Sequence, residues 1–238
     1  MTTPTVPVKT PETPHPLRTL LMAVTVTAVD AALLALALGG VGALLQHARA
    51  RVLIVIWGVG SLVLGLLRPV RRQDVVERAP AQAPLLLALL IIPLGTPPLA
   101  ALGERLGWYP LPGGEALRWS GVALVVVGLS IRAFAMKQLG PRFSPQVALQ
   151  RKHTLETRGL YARIRHPGYL GAWLATLGAA LAFGSAVGLA GVVLMGMALH
   201  ARMDLEEAML ERRFGSDYAA YRARTGRLLP KPGSTRPV

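Results

Sequence analysis

Residues Gly168 to Ala201 read GYLGAWLATLGAALAFGSAVGLAGVVLMGMALHA, with no Asp, Glu, Lys or Arg and a single histidine, His200. An α-helix rises about 1.5 Å per residue and the hydrocarbon core of a bilayer is about 30 Å thick, so about 20 apolar residues make one crossing. The run is too long for one upright helix. At its centre Ala182-Phe183-Gly184-Ser185-Ala186 has the composition of a turn. Two short helices joined as a hairpin fit it, and a hairpin returns both of its ends to the same face of the membrane.

Working outward, four more apolar segments approach a crossing length: about 19 to 45, 52 to 67 between Arg51 and Arg68, 85 to 102, and 118 to 136. The second is short. Pro93, Pro97 and Pro98 interrupt the third, which a membrane tolerates when neighbouring helices cover the freed carbonyls. The fold class is therefore all-α, a polytopic integral membrane protein with about six transmembrane helices including a C-terminal helical hairpin. The Pro- and Thr-rich residues 1–18 are expected to be a disordered cytosolic tail. Residues 19–136 hold transmembrane helices 1–4, residues 137–230 hold the hairpin and the polar segments on either side of it, and 231–238 form a C-terminal tail.

Composition agrees. Of 238 residues, 52% are hydrophobic and 16% charged, against about a quarter charged in soluble domains, and mean hydropathy is +0.44. The chain has no cysteine, which excludes disulfides, thiolate metal sites and a cysteine nucleophile. The five histidines show no zinc-ligand spacing, so no metal is expected. The excess of 26 Lys and Arg over 12 Asp and Glu lies between apolar runs, which fits anionic headgroups rather than nucleic acid. Recurring glycines such as Gly39, Gly40, Gly42, Gly58 and Gly60 read as close helix packing, since no strand precedes them to make a phosphate loop.

The positive-inside rule puts the loops 68–84 (Arg68, Arg71, Arg72, Arg78) and 137–165 (Lys137, Arg142, Arg151, Lys152, Arg158, Arg163, Arg165) on the cytosolic side. Residues 103–117, with Glu104, Arg105 and Glu115, fall on the far side. Arg49 and Arg51 in the first outer loop run against this assignment.

The polar chemistry of such a protein gathers where the chain leaves the bilayer, at 137–169 and 200–230. Arg202 and Glu206 stand four apart on one helix face, which an ordinary intrahelical pair would also explain. Arg202 lies at the apolar boundary, where an unpaired guanidinium is costly. His166-Pro167 ends one element and starts another, because proline restrains its predecessor and suits a first helical turn. Asp30, inside the first apolar segment, is an intramembrane carboxylate with no evident partner in the sequence and is a candidate for packing or substrate access. Arg132 is read as snorkelling.

Four motifs then stand in order: Gly159-x-Tyr161, Arg165-His166-Pro167-x-Tyr169-x-Gly171, Arg202-x-x-x-Glu206-Glu207 and Phe214-Gly215-x-x-Tyr218-x-x-Tyr221. Together they resemble the isoprenylcysteine carboxyl methyltransferase family, whose relatives include phospholipid N-methyltransferases, over about residues 140 to 230. The resemblance implies an integral membrane enzyme using S-adenosyl-L-methionine. It implies cofactor contacts at Gln146, His153, Thr154, Leu155, Glu156, Tyr161, His166, Pro167, Gly168, Tyr169 and Glu206, and an acceptor-carboxylate arginine at Arg202. Glu156 departs from the small apolar residue that many members have at that position.

An acceptor carboxylate is already ionised near pH 7 and requires a bidentate arginine rather than a base. An amine or thiol acceptor would require deprotonation, for which Tyr169, His166 and Glu207 are the nearest candidates. The catalytic set is thus Arg202, Tyr169 and Glu207, and the expected partners are membrane lipids and a lipid-like or hydrophobic acceptor entering sideways. The preferred reaction is O-methylation of a carboxylate. Phospholipid N-methylation and small-thiol S-methylation are alternatives, and an NADPH-dependent reductase of the sterol-reductase kind or a non-catalytic transporter or scaffold stand further off.

Overall fold

The computed structural model describes residues 16–67, 75–78, 82–140, 143, 148–150 and 154–232. The apolar segments fold into helices α1 (Pro16–Leu38), α2 (Val41–Gln46), α3 (Ala48–Leu66), α4 (Ala83–Leu106), α5 (Gly114–Leu139), α6 (Pro167–Ala182), α7 (Val187–Phe214) and α8 (Ser216–Arg224). A single 3-10 turn spans Gly159–Ala162. Among the described residues α1, α3, α4, α5 and α7 are long and apolar enough to cross a membrane. The hairpin is asymmetric: α6 is a short arm of 16 residues, while α7 runs on for 28 and carries Arg202, Glu206 and Glu207. Large apolar side chains such as Leu36, Leu90, Phe134 and Met197 face outward, as a lipid-facing surface requires.

Alternating directions give the bundle two ends. At the far end lie the α1–α2–α3 turn, residues 103–117 and the α6–α7 turn, where Tyr109 O accepts from Ala186 N at 2.9 Å and Ser185 Oγ donates to Trp108 O at 2.8 Å. Arg49, whose position ran against the charge rule, is explained here. Its guanidinium is buried and donates to Glu104 Oε1 at 2.6 Å and Glu115 Oε1 at 2.9 Å, with His47 3.1 Å from Glu104 Oε2. Arg51 is exposed.

At the near end a small antiparallel ribbon departs from a purely helical description. Strand β1 (Val75–Arg78) pairs with β2 (Ala148–Gln150), Val75 opposite Gln150 and Arg78 opposite Ala148, which joins the two Arg-rich loops. The proline-rich α4 is a continuous helix. Buried Thr96 donates its Oγ1 to Ile92 O at 2.7 Å, and α4 is packed among α1, α6 and α7.

The tightest packing is α5 against α6. A Cβ added at Gly121 would lie 2.5 Å from Ala182 N, and one at Gly128 would lie 2.5 Å from Ala175 N and Gly171 O. Gly178 faces Gly121 and Gly171 faces Gly128, so four glycines seven residues apart form one antiparallel seam. Of the glycines marked for packing, Gly58 abuts Thr27 and Gly60 abuts Leu129. Gly39 and Gly40, at φ +100° and +131°, form the α1–α2 turn instead. Gly42 faces open space.

Candidate active site

His166 stands at the N-cap of α6 with Pro167 in the first turn, as the His-Pro pair predicts. Its ring is fixed from two sides. It stacks on Tyr169, 5.3 Å between centroids and 6° from parallel, and its Nε2 lies 3.0 Å from Glu207 Oε1. The same Glu207 oxygen accepts from Arg165 Nε at 3.0 Å and Arg227 Nε at 3.2 Å.

The C-terminal segment is stapled to this point. Arg165 N donates to Gly226 O, His166 N to Arg227 O and Gly226 N back to Arg163 O, while Arg227 Nη2 reaches Asp204 Oδ1 at 2.5 Å. Glu207 is thus a buried anchor held by the Arg165 and Arg227 guanidiniums and the His166 ring.

One turn earlier on α7, Arg202 and Glu206 meet through Tyr169. Arg202 Nε donates to Tyr169 Oη at 2.7 Å and Tyr169 donates to Glu206 Oε2 at 2.6 Å, with the guanidinium carbon 5.6 Å from the ring centroid. The i,i+4 spacing therefore builds more than an intrahelical pair, since a residue of α6 stands between the two charges. Arg132 is not a snorkelling side chain. It donates Nη1 to Gly168 O at 3.1 Å and ties α5 to the first turn of α6.

These groups open on one cavity of about 450 Å³, within the range of small-molecule sites. Thr154, Leu155, Glu156, Tyr161, His166, Gly168, Tyr169, Arg202 and Glu206 all line it. Pro167 is buried in the first turn of α6, and Glu207 supports His166 from behind rather than lining the cavity. Gln146 and His153 lie outside the described residues. Glu156 is buried and accepts from Arg158 N at 3.1 Å and Nε at 3.0 Å, so its carboxylate fixes the loop.

Three tyrosines add to the wall. Tyr221 Oη donates to Tyr161 O at 2.8 Å. Burial, with Glu206 beside it for Tyr161, pushes the Tyr161 and Tyr221 phenols above the ordinary range, so both stay neutral. Tyr218 is fully buried, lines the cavity, and its hydroxyl has no hydrogen-bond partner among the described residues. An orphaned hydroxyl of this kind is costly by about 1–3 kcal/mol unless a ligand satisfies it. Sequence reasoning used Tyr218 only as a motif letter. Its spacing three before Tyr221 put both on one face of a helix and was the available signal.

Asp30, Trp57 and Ser61 also line this cavity, so α1 and α3 are part of its wall. No group of three or more His, Cys, Asp or Glu suited to a metal occurs among the described residues.

Residues 121–212 match the model of the isoprenylcysteine carboxyl methyltransferase (ICMT) family. The protein-S-isoprenylcysteine O-methyltransferase of Schizosaccharomyces pombe is 34% identical over 117 residues, covering 47% of this chain and 48% of that protein. The Homo sapiens protein of the same name is 30% identical over 130 residues, 53% of this chain and 46% of that protein. The chain thus spans about half the length of the curated relatives it matches. A solved structure of the eukaryotic intramembrane Ras methyltransferase ICMT aligns with a TM-score of 0.53 at 20% identity, over 77% of this chain and 65% of that one, which shows a shared fold. The resemblance read from the four motifs stands. The matched segment starts at Gly121, earlier than the motifs, and so takes in most of α5 and its glycine seam with α6.

Proposed function

We propose that this chain is an integral membrane methyltransferase that transfers a methyl group from S-adenosyl-L-methionine to the carboxylate of a lipid-like acceptor. The observation that carries the reading is the Arg202–Tyr169–Glu206 chain on the wall of a cavity set within a membrane bundle. It holds a cation at one end and an anion at the other within hydrogen-bond reach of one phenol.

The cavity's donors and acceptors fit the cofactor's ammonium, ribose and adenine. Glu206 is an acceptor for an ammonium or a ribose hydroxyl, and the orphaned Tyr218 hydroxyl is a free donor on the same wall. Gln146, His153, Thr154, Leu155, Glu156, Tyr161, His166, Pro167, Gly168 and Tyr169 complete the proposed cofactor contacts. When bound, S-adenosyl-L-methionine supplies an electrophilic methyl and its own leaving group.

The protein's part is positioning and exclusion of water. Arg202 holds the acceptor carboxylate by its guanidinium, which is held in turn by Tyr169. Tyr169 has its proton committed to Glu206, so it acts as a neutral bridge rather than a base. Glu207 acts as a positioning residue, because its oxygen is occupied by His166, Arg165 and Arg227. The near end, with its arginine-rich loops, faces the cytosol in this reading.

The test is calorimetric binding of S-adenosylhomocysteine to the detergent-purified protein, with Glu206→Ala and NADPH as comparisons. Binding abolished by Glu206→Ala supports the reading, and binding of NADPH alone overturns it in favour of a reductase. Transfer of a labelled methyl to prenylcysteine, phospholipid-amine and thiol acceptors then separates the chemistries. A methyl ester is released by mild base, whereas N-methyl and S-methyl products resist it.

A further inference from the structure

The cavity described above has a second polar pole. Asp30 of α1 lines it, and among the described residues this carboxylate makes no hydrogen bond or ion pair. Asp30 sits eight residues before the end of α1 at Leu38, and Arg202 fifteen residues after the start of α7 at Val187. The two helix ends share one level, since Gly39 abuts Arg105 and Ser185 abuts Gly103 at the end of α4. At about 1.5 Å per residue, Asp30 lies about 12 Å and Arg202 about 22 Å below that level, a separation of about 10 Å along the bundle.

Apolar residues such as Leu86, Pro93 and Leu129 also line the cavity, together with Arg132, which is tied to Gly168 O. Trp57 and Ser61 line the cavity from α3, on either side of Gly58, which packs on Thr27 one turn before Asp30. A carboxylate at this depth is expensive in lipid and is stabilised best by a cation. The Trp57 indole on the same cavity lining adds to the preference for an ammonium over a neutral donor.

Building on the methyltransferase reading, we propose that Asp30 is a specificity-determining residue that selects a bipolar acceptor. Its carboxylate is held at Arg202, and its apolar chain carries a protonated amine that pairs with Asp30 about 10 Å away. A plain hydrocarbon tail leaves Asp30 uncompensated and binds more weakly.

The experiment compares two series of long-chain carboxylic acids, identical except that one carries a terminal ammonium, in equilibrium binding to the full chain in detergent. The matched amino acid is expected to bind at least tenfold more tightly than its plain counterpart, with a clear optimum in chain length. Asp30→Asn should bring the two series to parity, while Asp30→Glu retains a preference at an altered chain length. S-adenosylhomocysteine affinity should be the same in all three proteins, which also reports that they are folded. Equal binding of the two series to the unaltered protein, a preference that survives Asp30→Asn, or a terminal hydroxyl that substitutes fully for the ammonium overturns the inference. The readout involves no methyl transfer. Failure of S-adenosylhomocysteine to bind would count against the methyltransferase reading, and the Asp30 dependence would be scored separately.

Discussion

Tyr169 joins the two charges of the site, and its hydroxyl has no spare proton while Arg202 and Glu206 hold it. Tyr169→Phe removes two charge-assisted bonds, each worth about 1.5–3 kcal/mol. S-adenosylhomocysteine affinity and acceptor turnover should therefore both fall, each by about tenfold or more, in calorimetry and in a labelled-methyl assay. Arg202→Ala should separate these readouts, lowering turnover while cofactor affinity stays within a few-fold; equal loss of both would contradict the division of roles. Tyr218→Phe has opposite signs in its two measurements. Deleting an unsatisfied buried hydroxyl leaves the ligand-free protein as stable or more so by thermal denaturation, yet weakens S-adenosylhomocysteine if that hydroxyl meets the cofactor. Arg202, Glu206 and the His-Pro turn were legible in the sequence because their geometry is local, set by helix periodicity and by proline. The Tyr169 bridge and the Arg227 staple were not, because each joins residues that meet only when α6, α7 and the C-terminal segment pack.

The α5–α6 seam and the far-end charge cluster show how elements are held in a bilayer, where apolar burial alone does not drive helices together. Gly128 faces Gly171 with backbone in contact, so Gly128→Val must push α6 away. The expected loss is about 1–3 kcal/mol or more, read as a lower melting temperature in detergent together with weakened cofactor binding, since α6 carries Tyr169. Glu104→Ala removes the closest partner of buried Arg49 and leaves it only the more exposed Glu115, so the expected loss is a fraction of the ~3–5 kcal/mol that a fully unpaired buried charge costs. This variant should melt earlier yet bind S-adenosylhomocysteine normally when folded, because its defect lies at the opposite end from the cavity's Arg202–Tyr169–Glu206 pole. Helix positions were legible from apolar run length, and α4 is whole despite three prolines, packed among α1, α6 and α7. Glycine packing was only half legible: Gly58 and Gly60 announced packing correctly, but Gly39 and Gly40 have the same letters and serve a turn. The β1–β2 ribbon was missed because short, charged, Arg-rich segments carry no strand periodicity.

For the molecule as a whole, the charge of the connecting segments at the two ends of the bundle is the basis of the proposed orientation in the membrane. In the sequence, Arg68, Arg71, Arg72 and Arg78 fall between α3 and α4 and seven more Lys and Arg fall in 137–165, whereas at the far end Arg49 and Arg118 pair with Glu104 and Glu115, and Arg51 and Arg105 are exposed. Arg49 therefore no longer counts against the orientation, since positive-inside bias is set by free loop cations and this one is buried in an ion pair. The near end should face the cytosol, with the cavity's Arg202–Tyr169–Glu206 pole close to that face and its Asp30 pole deeper. The chain contains no cysteine, so single introduced cysteines can be labelled against a silent background. Lys231→Cys, at an exposed near-end position, should react with a membrane-impermeant maleimide only after cells are opened. Tyr109→Cys, exposed at the far end, should react in intact cells. The reverse pattern would place the cavity's polar mouth outside and sink the cytosolic reading, while labelling of both from one side would contradict the two-ended bundle itself.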